Sequence, residues 1–391
     1  MNILFFCQLY PPAIYGGGEY IFYQYAKELA RRGHNVTTIA QRLNGTLNFE
    51  QIDGIKVFRT GSSIEYNGVL PVSMTRNSNY LMSAVSKGLN IIGKNQIDVI
   101  HSNTYIPALA GCICAQIFRK PHIITFHDVY FLRRETFWGS WSSQSNSNGL
   151  VSLAGSSVEK LLLKLPNTVY HTVSETSKED LVYSKVKDVI VVPNGIDISE
   201  YSNANEVKTD DFQVVFIGRL VFYKNLDTVI KAFKKVTSKI PKAKLVVIGD
   251  GPMRSDWTEL VTTLGLKEHV TFAGNISHDE KLRILNKSSF LVFPSVVEGF
   301  GIVILEAFAC NKPVLVSEVK PLTEIVGNGQ DGYFVPPFDI EAWADKIIDL
   351  INAPKKVAEM GIRGRKKVED NYTIAKVVDK LEELYLRTAN S

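Results

Sequence analysis

The sequence of 391 residues predicts an α/β protein of two doubly wound domains, each built on a parallel sheet. Three observations lead to this prediction. A chain of this length usually holds two or three domains of about 100–200 residues each. Short, continuously apolar, β-branched runs recur along it, which is typical of parallel strands buried on both faces. Stretches of helical periodicity separate many of these runs, and the alternation occurs twice.

The first half of the chain carries the first strand set. We predict strands at Ile3–Cys7, Val36–Ala40, Ile55–Arg59, Asp98–Ser102, His122–Phe126, Thr168–Ser174 and Val189–Val192. The clearest helix is Tyr20–Arg32, which has apolar residues at helical spacing and is followed by Gly33, a common helix stop. Residues 1–192 are therefore expected to form the first domain.

The pattern restarts after a stretch rich in Asn, Ser, Asp and Thr at residues 193–211, which we interpret as a linker. The second strand set is predicted at Gln213–Ile217, Lys244–Ile248, Val270–Ala273, Phe290–Phe293, Val314–Val316 and Tyr333–Val335. Asn225–Ile240 reads as a helix with one apolar face. Residues 212–372 would form the second domain, and Ala375–Leu386 is a periodic terminal helix.

Composition excludes several protein classes. With 45% hydrophobic and 21% charged residues, the chain is neither disordered, collagen-like nor a disulfide scaffold. The net charge of +4 is too weak to indicate a nucleic-acid partner. Residues 1–190 hold 18 basic and 13 acidic residues, a local charge of +5. We see no targeting segment, no apolar run of 18 residues and no metal or redox spacing of the four cysteines, so a cytoplasmic location is expected.

A glycine loop follows the first predicted strand. Gly16-Gly17-Gly18 directly precedes the first helix. Glycines at this place let the backbone approach a ligand closely and direct free N–H groups at an anion. A flexible turn without a ligand remains the alternative interpretation.

A basic loop follows the first strand of the second domain. Arg219 can bind phosphate with its two-pronged guanidinium, and Lys224 supplies a compact charge six residues after Gly218. Ligands of open parallel sheets bind outside the carboxyl ends of the strands, where this loop lies. The alternative is a solvated surface pair.

The most informative stretch follows the strand that ends at Phe293. A glycine turn, Glu298-Gly299-Phe300-Gly301, opens a helix whose first N–H groups lack helical partners and can hold an anion. Glu306 lies on that helix. Its carboxylate and that of Glu298 can accept hydrogen bonds from ribose or sugar hydroxyls.

The spacing of Glu298 and Glu306 resembles the E-x7-E motif of retaining glycosyltransferases. The chain resembles glycosyltransferase family 4, which has the GT-B fold of two Rossmann-like domains facing across a cleft. Stretches that agree with the family, in its order, are Pro11-Pro12 with Gly16–Gly18, Phe126-His127-Asp128, Val173-Ser174-Glu175, Pro193–Asp197, Gly218-Arg219 with Lys224, and Gly249–Pro252. They extend over nearly the whole chain. The resemblance implies that the C-terminal helix, residues 373–391, packs back on the first domain.

The resemblance implies a retaining transfer of a hexose-type sugar from a nucleotide-diphosphate sugar to a glycan or lipid-linked acceptor. The first domain would bind the acceptor and the second the nucleotide sugar. The implied catalytic residues are His127, Arg219, Lys224 and Glu298. The implied donor-binding residues are Gly17, Gly18, Arg219, Lys224, Gly249, Ile276, Glu298, Gly299, Phe300, Gly301, Ile302, Val303 and Glu306. In this scheme the basic pair binds diphosphate, Glu306 the ribose and Glu298 the sugar.

The acceptor side is expected near His127, which follows a strand, although a buried structural histidine is the alternative. His101 also follows a strand, but Asn103 stands where relatives often have a second histidine, so no role is assigned to it. The implied acceptor-binding residues are His127, Arg133, Arg134 and Trp138. Residues 128–149 are rich in aromatic residues and end in a Ser/Asn tract, so they form either an acceptor lid or an ordinary loop. A lipid-linked acceptor would bring the protein to the cytoplasmic face of an anionic membrane.

No Asp-x-Asp motif is present, so we expect neither a metal requirement nor a cofactor, the nucleotide sugar being a substrate. The nucleotide base, the sugar, the acceptor and the route to retention stay open. The alternatives are a nucleotide-sugar epimerase of the same fold and a non-catalytic nucleotide-sugar binding protein. A nicotinamide dehydrogenase is disfavoured because the glycine loop after the first predicted strand does not have the G-x-G-x-x-G pattern, and because Ala40 and Gln41 end the following strand where such enzymes carry an acidic residue.

Overall fold

The computed structural model describes residues 1–12, 16–65, 73–129, 132, 157–201 and 207–390. The chain divides into two compact units. Unit 1 comprises Met1–Asn194 together with Ile374–Ser391, and unit 2 comprises Gly195–Thr373. Each unit is an α/β structure on a parallel sheet, so the predicted fold class is confirmed.

Unit 1 is built on a sheet of eight strands. They are β1 Asn2–Phe6, β2 Asn35–Leu43, β3 Phe49–Ile52, β4 Ile55–Ile64, β5 Val99–Asn103, β6 His122–Phe126, β7 Thr168–Thr172 and β8 Val189–Val191. Their order across the sheet is β3-β4-β2-β1-β5-β6-β7-β8. The described helices of this unit are α1 Gly17–Arg31, α2 Met74–Lys94, α3 Ile106–Phe118, α4 Glu175–Tyr183 and, numbered last in the chain, α12 Ile374–Ala389. Because β1, β5 and β6 are parallel, the loops after β1 and β6 lie at the same edge of the sheet.

Unit 2 is built on six parallel strands. They are β9 Asp210–Ile217, β10 Lys244–Ile248, β11 Val270–Gly274, β12 Ser288–Phe293, β13 Val314–Ser317 and β14 Gly332–Val335, in the order β11-β10-β9-β12-β13-β14. The helices are α5 Leu226–Lys239, α6 Arg254–Thr263, α7 His278–Lys287, α8 Ile302–Ala309, α9 Leu322–Ile325, α10 Ile340–Ile351 and α11 Pro354–Asn371. The order reverses between β9 and β12, so the loops after these two strands are neighbours.

One strand was not predicted. β3 pairs with β4 in the antiparallel direction at the edge of the sheet, and its four residues alternate between exposed and half-buried. Such a strand has no continuous apolar run, because one of its faces is exposed and the other is only half-buried. The observed boundary between the units falls after Asn194, and β9 already begins at Asp210, inside the stretch interpreted as a linker.

The C-terminal helix α12 belongs to unit 1. Arg32, at the end of α1, reaches the carboxylate of Asp379 and the carbonyl of Ala375, both at 2.7 Å. In the interior, Nδ1 of His101 lies 2.7 Å from the hydroxyl of Tyr385. Polar contacts at its surface and in the core therefore fix α12 to this unit. No helix in the described parts of the chain is both long and apolar enough to cross a bilayer.

Candidate active site

The loop after β9 carries two of the predicted site residues of unit 2. Arg219 lies two residues after the end of the strand, and its Nη2 donates to the hydroxyl of Tyr223 at 2.7 Å. Lys224 is the last residue of a short 3-10 helix that begins at Phe222. Asn225, next in the chain, has a left-handed φ of +51° and leads into α5. Both basic side chains therefore project from one tight loop at the carboxyl end of the sheet.

The loops after β9, β10 and β11 are joined by backbone hydrogen bonds. The N–H of Gly218 donates to the carbonyl of Ile248 at 3.0 Å, and that of Gly249 to the carbonyl of Gly274 at 2.9 Å. Gly249 has φ +123°, and a Cβ there would stand 2.1 Å from the oxygen of Gly218. Only glycine fits at this position. Ile276 lies on the adjoining loop, two residues after Gly274.

Lys224 and Glu298 form an ion pair between Nζ and Oε1. The loop after β9 supplies the cation, and the turn after β12 supplies the carboxylate. Each side chain is 12% exposed. Nζ also lies 4.7 Å from the centre of the Phe293 ring, a cation–π arrangement. These contacts hold the two charged groups together in a largely buried environment.

The turn Glu298–Gly301 leads into α8. Gly301, with φ +95°, is the residue before the helix, so the turn places glycine where a left-handed conformation is needed. Gly299 lies within the same turn, and the side chain of Phe300 packs against Tyr372 with ring centres 6.0 Å apart. The N–H groups of Ile302 and Val303 belong to the first helical turn, which has no helical acceptors for them. This end of α8 can therefore bind an anion.

Glu306 lies further along α8 and is 6% exposed. Its Oε1 accepts a hydrogen bond from Nζ of Lys281 on α7 at 2.9 Å. Its Oε2 is buried and has no hydrogen-bond partner among the described residues. The two glutamates of the motif are thus bonded to different lysines, Glu298 to Lys224 and Glu306 to Lys281.

In unit 1, the structure brings Gly18 and His127 together. Gly18 lies in the first turn of α1, one residue after Gly17. A Cβ on Gly18 would stand 2.9 Å from Cδ2 of His127, closer than side chains normally approach. The ring of Phe22 lies 6.2 Å from that of His127. One reason for glycine at position 18 is therefore the room that His127 needs.

His127 is held in its neutral form. Burial of the ring, together with the nearby His171, lowers the pKa of His127 well below that of a free histidine. Its carbonyl accepts a hydrogen bond from Oγ of Ser177 at 3.2 Å, which fixes the backbone. Nε2 is covered and has no hydrogen-bond partner among the described residues. A neutral imidazole in this setting can donate or accept one hydrogen bond.

His101 is a buried residue that is hydrogen-bonded within the core of unit 1. It is fully buried, and its two ring nitrogens lie 2.7 Å from the hydroxyl of Tyr385 and 2.6 Å from that of Thr125. Thr125 in turn lies 2.8 Å from Nδ1 of His171. Both nitrogens of His101 are therefore used inside unit 1.

Three predicted acceptor-binding residues, Arg133, Arg134 and Trp138, lie outside the described residues, as does nearly all of the segment 128–149. Within the described ranges, no group of three or more His, Cys, Asp or Glu side chains is arranged to hold a metal ion.

Sequence reasoning missed Lys281 and Tyr223. Tyr223 stands in the same short loop as Arg219, so its position offered a weak signal. No sequence signal marked Lys281, because its contact with Glu306 depends on how α7 and α8 pack in the folded unit.

Comparison with known proteins identifies the class. The family described as "Glycosyl transferases group 1" matches residues 197–367, and "Glycosyltransferase Family 4" matches residues 15–200. An uncharacterized glycosyltransferase of Methanocaldococcus jannaschii is 30% identical over 295 residues, which are 74% of this chain and 76% of that protein. The protein therefore belongs to glycosyltransferase family 4.

Solved structures agree on the fold. Sucrose-phosphate synthase from Thermosynechococcus elongatus superposes with a TM-score of 0.83 at 22% identity, over 99% of this chain and 98% of that one. Anabaena HepE, in complex with UDP and glucose, has a TM-score of 0.72 at 20% identity, over 98% of this chain and 99% of that one. The chain is similar to both, and the likeness extends over nearly its whole length.

Proposed function

We propose that this glycosyltransferase moves a hexose-type sugar, with retention of anomeric configuration, from a nucleotide-diphosphate sugar to a glycan or lipid-linked acceptor, without a metal ion. Unit 2 binds the donor, and unit 1 binds the acceptor. The products are the glycosylated acceptor, the nucleoside diphosphate and one proton, so the C1–phosphate bond breaks as a C1–acceptor bond forms.

The observation that carries this proposal is the ion pair of Lys224 and Glu298. A diphosphate needs a cation, and a sugar hydroxyl needs an acceptor. Lys224 provides the cation and Glu298 the hydrogen-bond acceptor, and the two lie side by side at the carboxyl end of the sheet, beside the first turn of α8. The donor takes the place of the internal partner: its phosphate binds Lys224, and its sugar hydroxyls bind Glu298.

Charge develops on the departing diphosphate as the sugar becomes oxocarbenium-like. Arg219 and Lys224 stabilise that charge, together with the N–H groups of Phe300, Gly301 and the first turn of α8. Preorganised donors of this kind usually supply the largest single share of catalysis. Because these groups are already cationic or dipolar, they perform the work that a metal–diphosphate clamp performs elsewhere.

The nucleoside is proposed to lie over the loops after β10 and β11. Gly249 and Ile276 contact the base there, mostly through backbone, and Glu306 holds the ribose. Anabaena HepE, which shares the fold, is described in complex with UDP and glucose. That neighbour supports a nucleoside diphosphate and a hexose as the first ligands to try.

In unit 1, His127 is proposed to contact the sugar and the acceptor. Since its ring is neutral, it contributes a hydrogen bond rather than a positive charge. Gly17 and Gly18 let backbone approach the ligand next to this ring. Arg133, Arg134 and Trp138 are proposed to complete the acceptor site.

A lipid-linked acceptor also accounts for the uneven charge of the chain. Residues 1–190 hold 18 basic and 13 acidic residues, whereas the whole chain has a net charge of only +4. Each Lys or Arg close to the surface of an anionic bilayer contributes about 1 kcal/mol of membrane-binding free energy. We therefore propose peripheral contact of unit 1 with a membrane.

The test is a panel of nucleotide sugars with thermal-shift and product detection. We expect UDP, GDP or ADP to raise the melting temperature, and the matching sugar conjugate to release nucleoside diphosphate when acceptor is present. Isomerised donor without release would instead indicate an epimerase. Binding without either product, across a broad acceptor set, would indicate a non-catalytic binding protein.

A further inference from the structure

Lys281 on α7 reaches across to the buried motif residue Glu306 on α8. We propose that Lys281 is a positioning residue that makes this site selective for ribonucleotides: it holds Oε1 of Glu306 and leaves Oε2 to accept the ribose hydroxyl. The inference rests on the proposed role of Glu306 in donor binding and adds the residue that gives this role its specificity.

The first step of the argument is the burial of the carboxylate. Glu306 is 6% exposed, and its side chain sits on a helix of otherwise apolar residues. Burial of an unpaired carboxylate in such a place is strongly unfavourable, as is that of any unpaired buried charge. Nζ of Lys281, 2.9 Å from Oε1, supplies the compensating charge. Lys281 therefore supplies a cationic partner for this buried side chain, and hydrogen bonds that involve charged groups are the stronger ones.

The second step concerns the other basic group nearby. Lys312, almost fully buried, donates to Oγ1 of Thr209 at 2.8 Å rather than to Glu306. Cys310, four residues after Glu306, is a buried thiol whose pKa is raised to about 12, first by burial, so it carries no charge. Among the described residues, the cation bonded to Glu306 is thus Lys281.

The third step concerns which carboxylate oxygen of Glu306 can bind a ligand hydroxyl. Lys281 binds Oε1, whereas Oε2 has no partner among the described residues and keeps both of its acceptor sites. A hydroxyl placed there forms a hydrogen bond to a charged group, whereas an analogue without it leaves Oε2 buried and unpaired. Sites of this kind discriminate strongly against the analogue that lacks the group.

The experiment measures binding by calorimetry of UDP, GDP and ADP, and then of the 2′-deoxy and 3′-deoxy forms of the one that binds most tightly. For the wild type we expect the ribose form to bind about 10- to 100-fold more tightly than at least one deoxy form, the range for a hydrogen bond to a charged group. Lys281→Met should reduce that ratio to about threefold or less, and Lys281→Arg should restore most of it. Lys287→Met, an exposed change on the same helix, should leave the ratio unchanged.

A double-mutant cycle shows whether Lys281 acts through Glu306. In a Glu306→Gln background, Lys281→Met should change the affinity by less than about twofold, because the carboxylate that it positions is gone. The double variant also buries no unpaired charge, so it remains interpretable if Lys281→Met alone unfolds.

The outcomes separate the two ideas. Wild-type selectivity that disappears in Glu306→Gln but persists in Lys281→Met overturns the role of Lys281 and leaves the ribose role of Glu306 intact. Equal binding of ribose and deoxy forms by the wild type overturns both. No binding of any of the three diphosphates contradicts the proposed donor site itself.

Discussion

Lys224 and Glu298 neutralise each other across two loops of unit 2. Both are expected to serve the donor, yet in the structure each side chain is paired with the other. The donor must therefore replace one strong internal contact by two external ones. A free nucleoside diphosphate has no sugar hydroxyls to bind Glu298 in place of Lys224. Its binding free energy is therefore less favourable than that of the intact donor.

Replacing Glu298 by Gln should strengthen the binding of the nucleoside diphosphate while it abolishes most sugar transfer. The reason is that Lys224 no longer needs to leave an anionic partner. We expect the Kd of the diphosphate to fall about 3- to 30-fold, which corresponds to about 0.7–2 kcal/mol. Calorimetry measures it, with the exposed Glu259→Gln as the matched control. Weaker binding by Glu298→Gln would show that the pair organises the site rather than masks it.

Replacing Lys224 by Met should lower kcat about 100- to 1000-fold, because the cation stabilises charge that develops on the leaving diphosphate. The donor KM should change less than kcat. Steady-state release of diphosphate measures both constants. Lys231→Met, whose side chain is 42% exposed on α5, serves as control and should keep wild-type rates. A change confined to KM would assign Lys224 to binding alone.

Chelation gives a separate test of the proposed charge stabilisation. If Arg219, Lys224 and the N–H groups of α8 are sufficient, incubation with EDTA followed by gel filtration should leave turnover within about twofold of the untreated enzyme. Activity that disappears and returns with added Mg²⁺ or Mn²⁺ would refute metal independence.

Gly18 and His127 can be tested as a pair through stability. In the wild type, Gly18→Ala should cost about 1–3 kcal/mol, because the new methyl overlaps the imidazole. In a His127→Ala background the same change should become neutral or stabilise by up to about 1 kcal/mol, since alanine favours helix over glycine. Urea unfolding of the four proteins measures the coupling. Additive effects would mean that the two positions do not touch.

The buried histidines of unit 1 make its stability depend on pH. Burial lowers the pKa of His122 to about 3 and that of His171 to about 4. Because the unfolded chain titrates near pH 6.5, the unfolded state binds more protons below that pH, and the stabilisation present above it is lost as pH falls towards 3–4. Each group contributes a slope of about 1.4 kcal/mol per pH unit.

Urea unfolding between pH 4.5 and 7.5 checks this slope. His122→Asn should flatten it by the share of one histidine, although the variant itself is less stable because contacts to Ser102 and Thr168 change. An unchanged slope would mean that His122 is already hydrated or charged in the native protein.

The sequence predicted most strands because parallel strands buried on both faces leave continuous apolar runs; β6 and β10 have the predicted bounds. β3 left no such run and was missed. The same distinction holds at the site. Glu298 and Glu306 are spaced within one local turn and helix, so the sequence displays them together. Lys281 meets Glu306 only through the packing of two helices, 25 residues apart in the chain.

The placement of α12 has a consequence for how the chain becomes folded during synthesis. Unit 1 contains residues from both sides of unit 2 in the sequence. A ribosome therefore finishes all of unit 2 before it releases the helix whose Tyr385 meets His101. Until then, the parts of α1 and β5 that α12 contacts stay open to chaperones and proteases. Unit 2, in contrast, is one continuous segment, so all of its residues have been synthesised before unit 1 is complete.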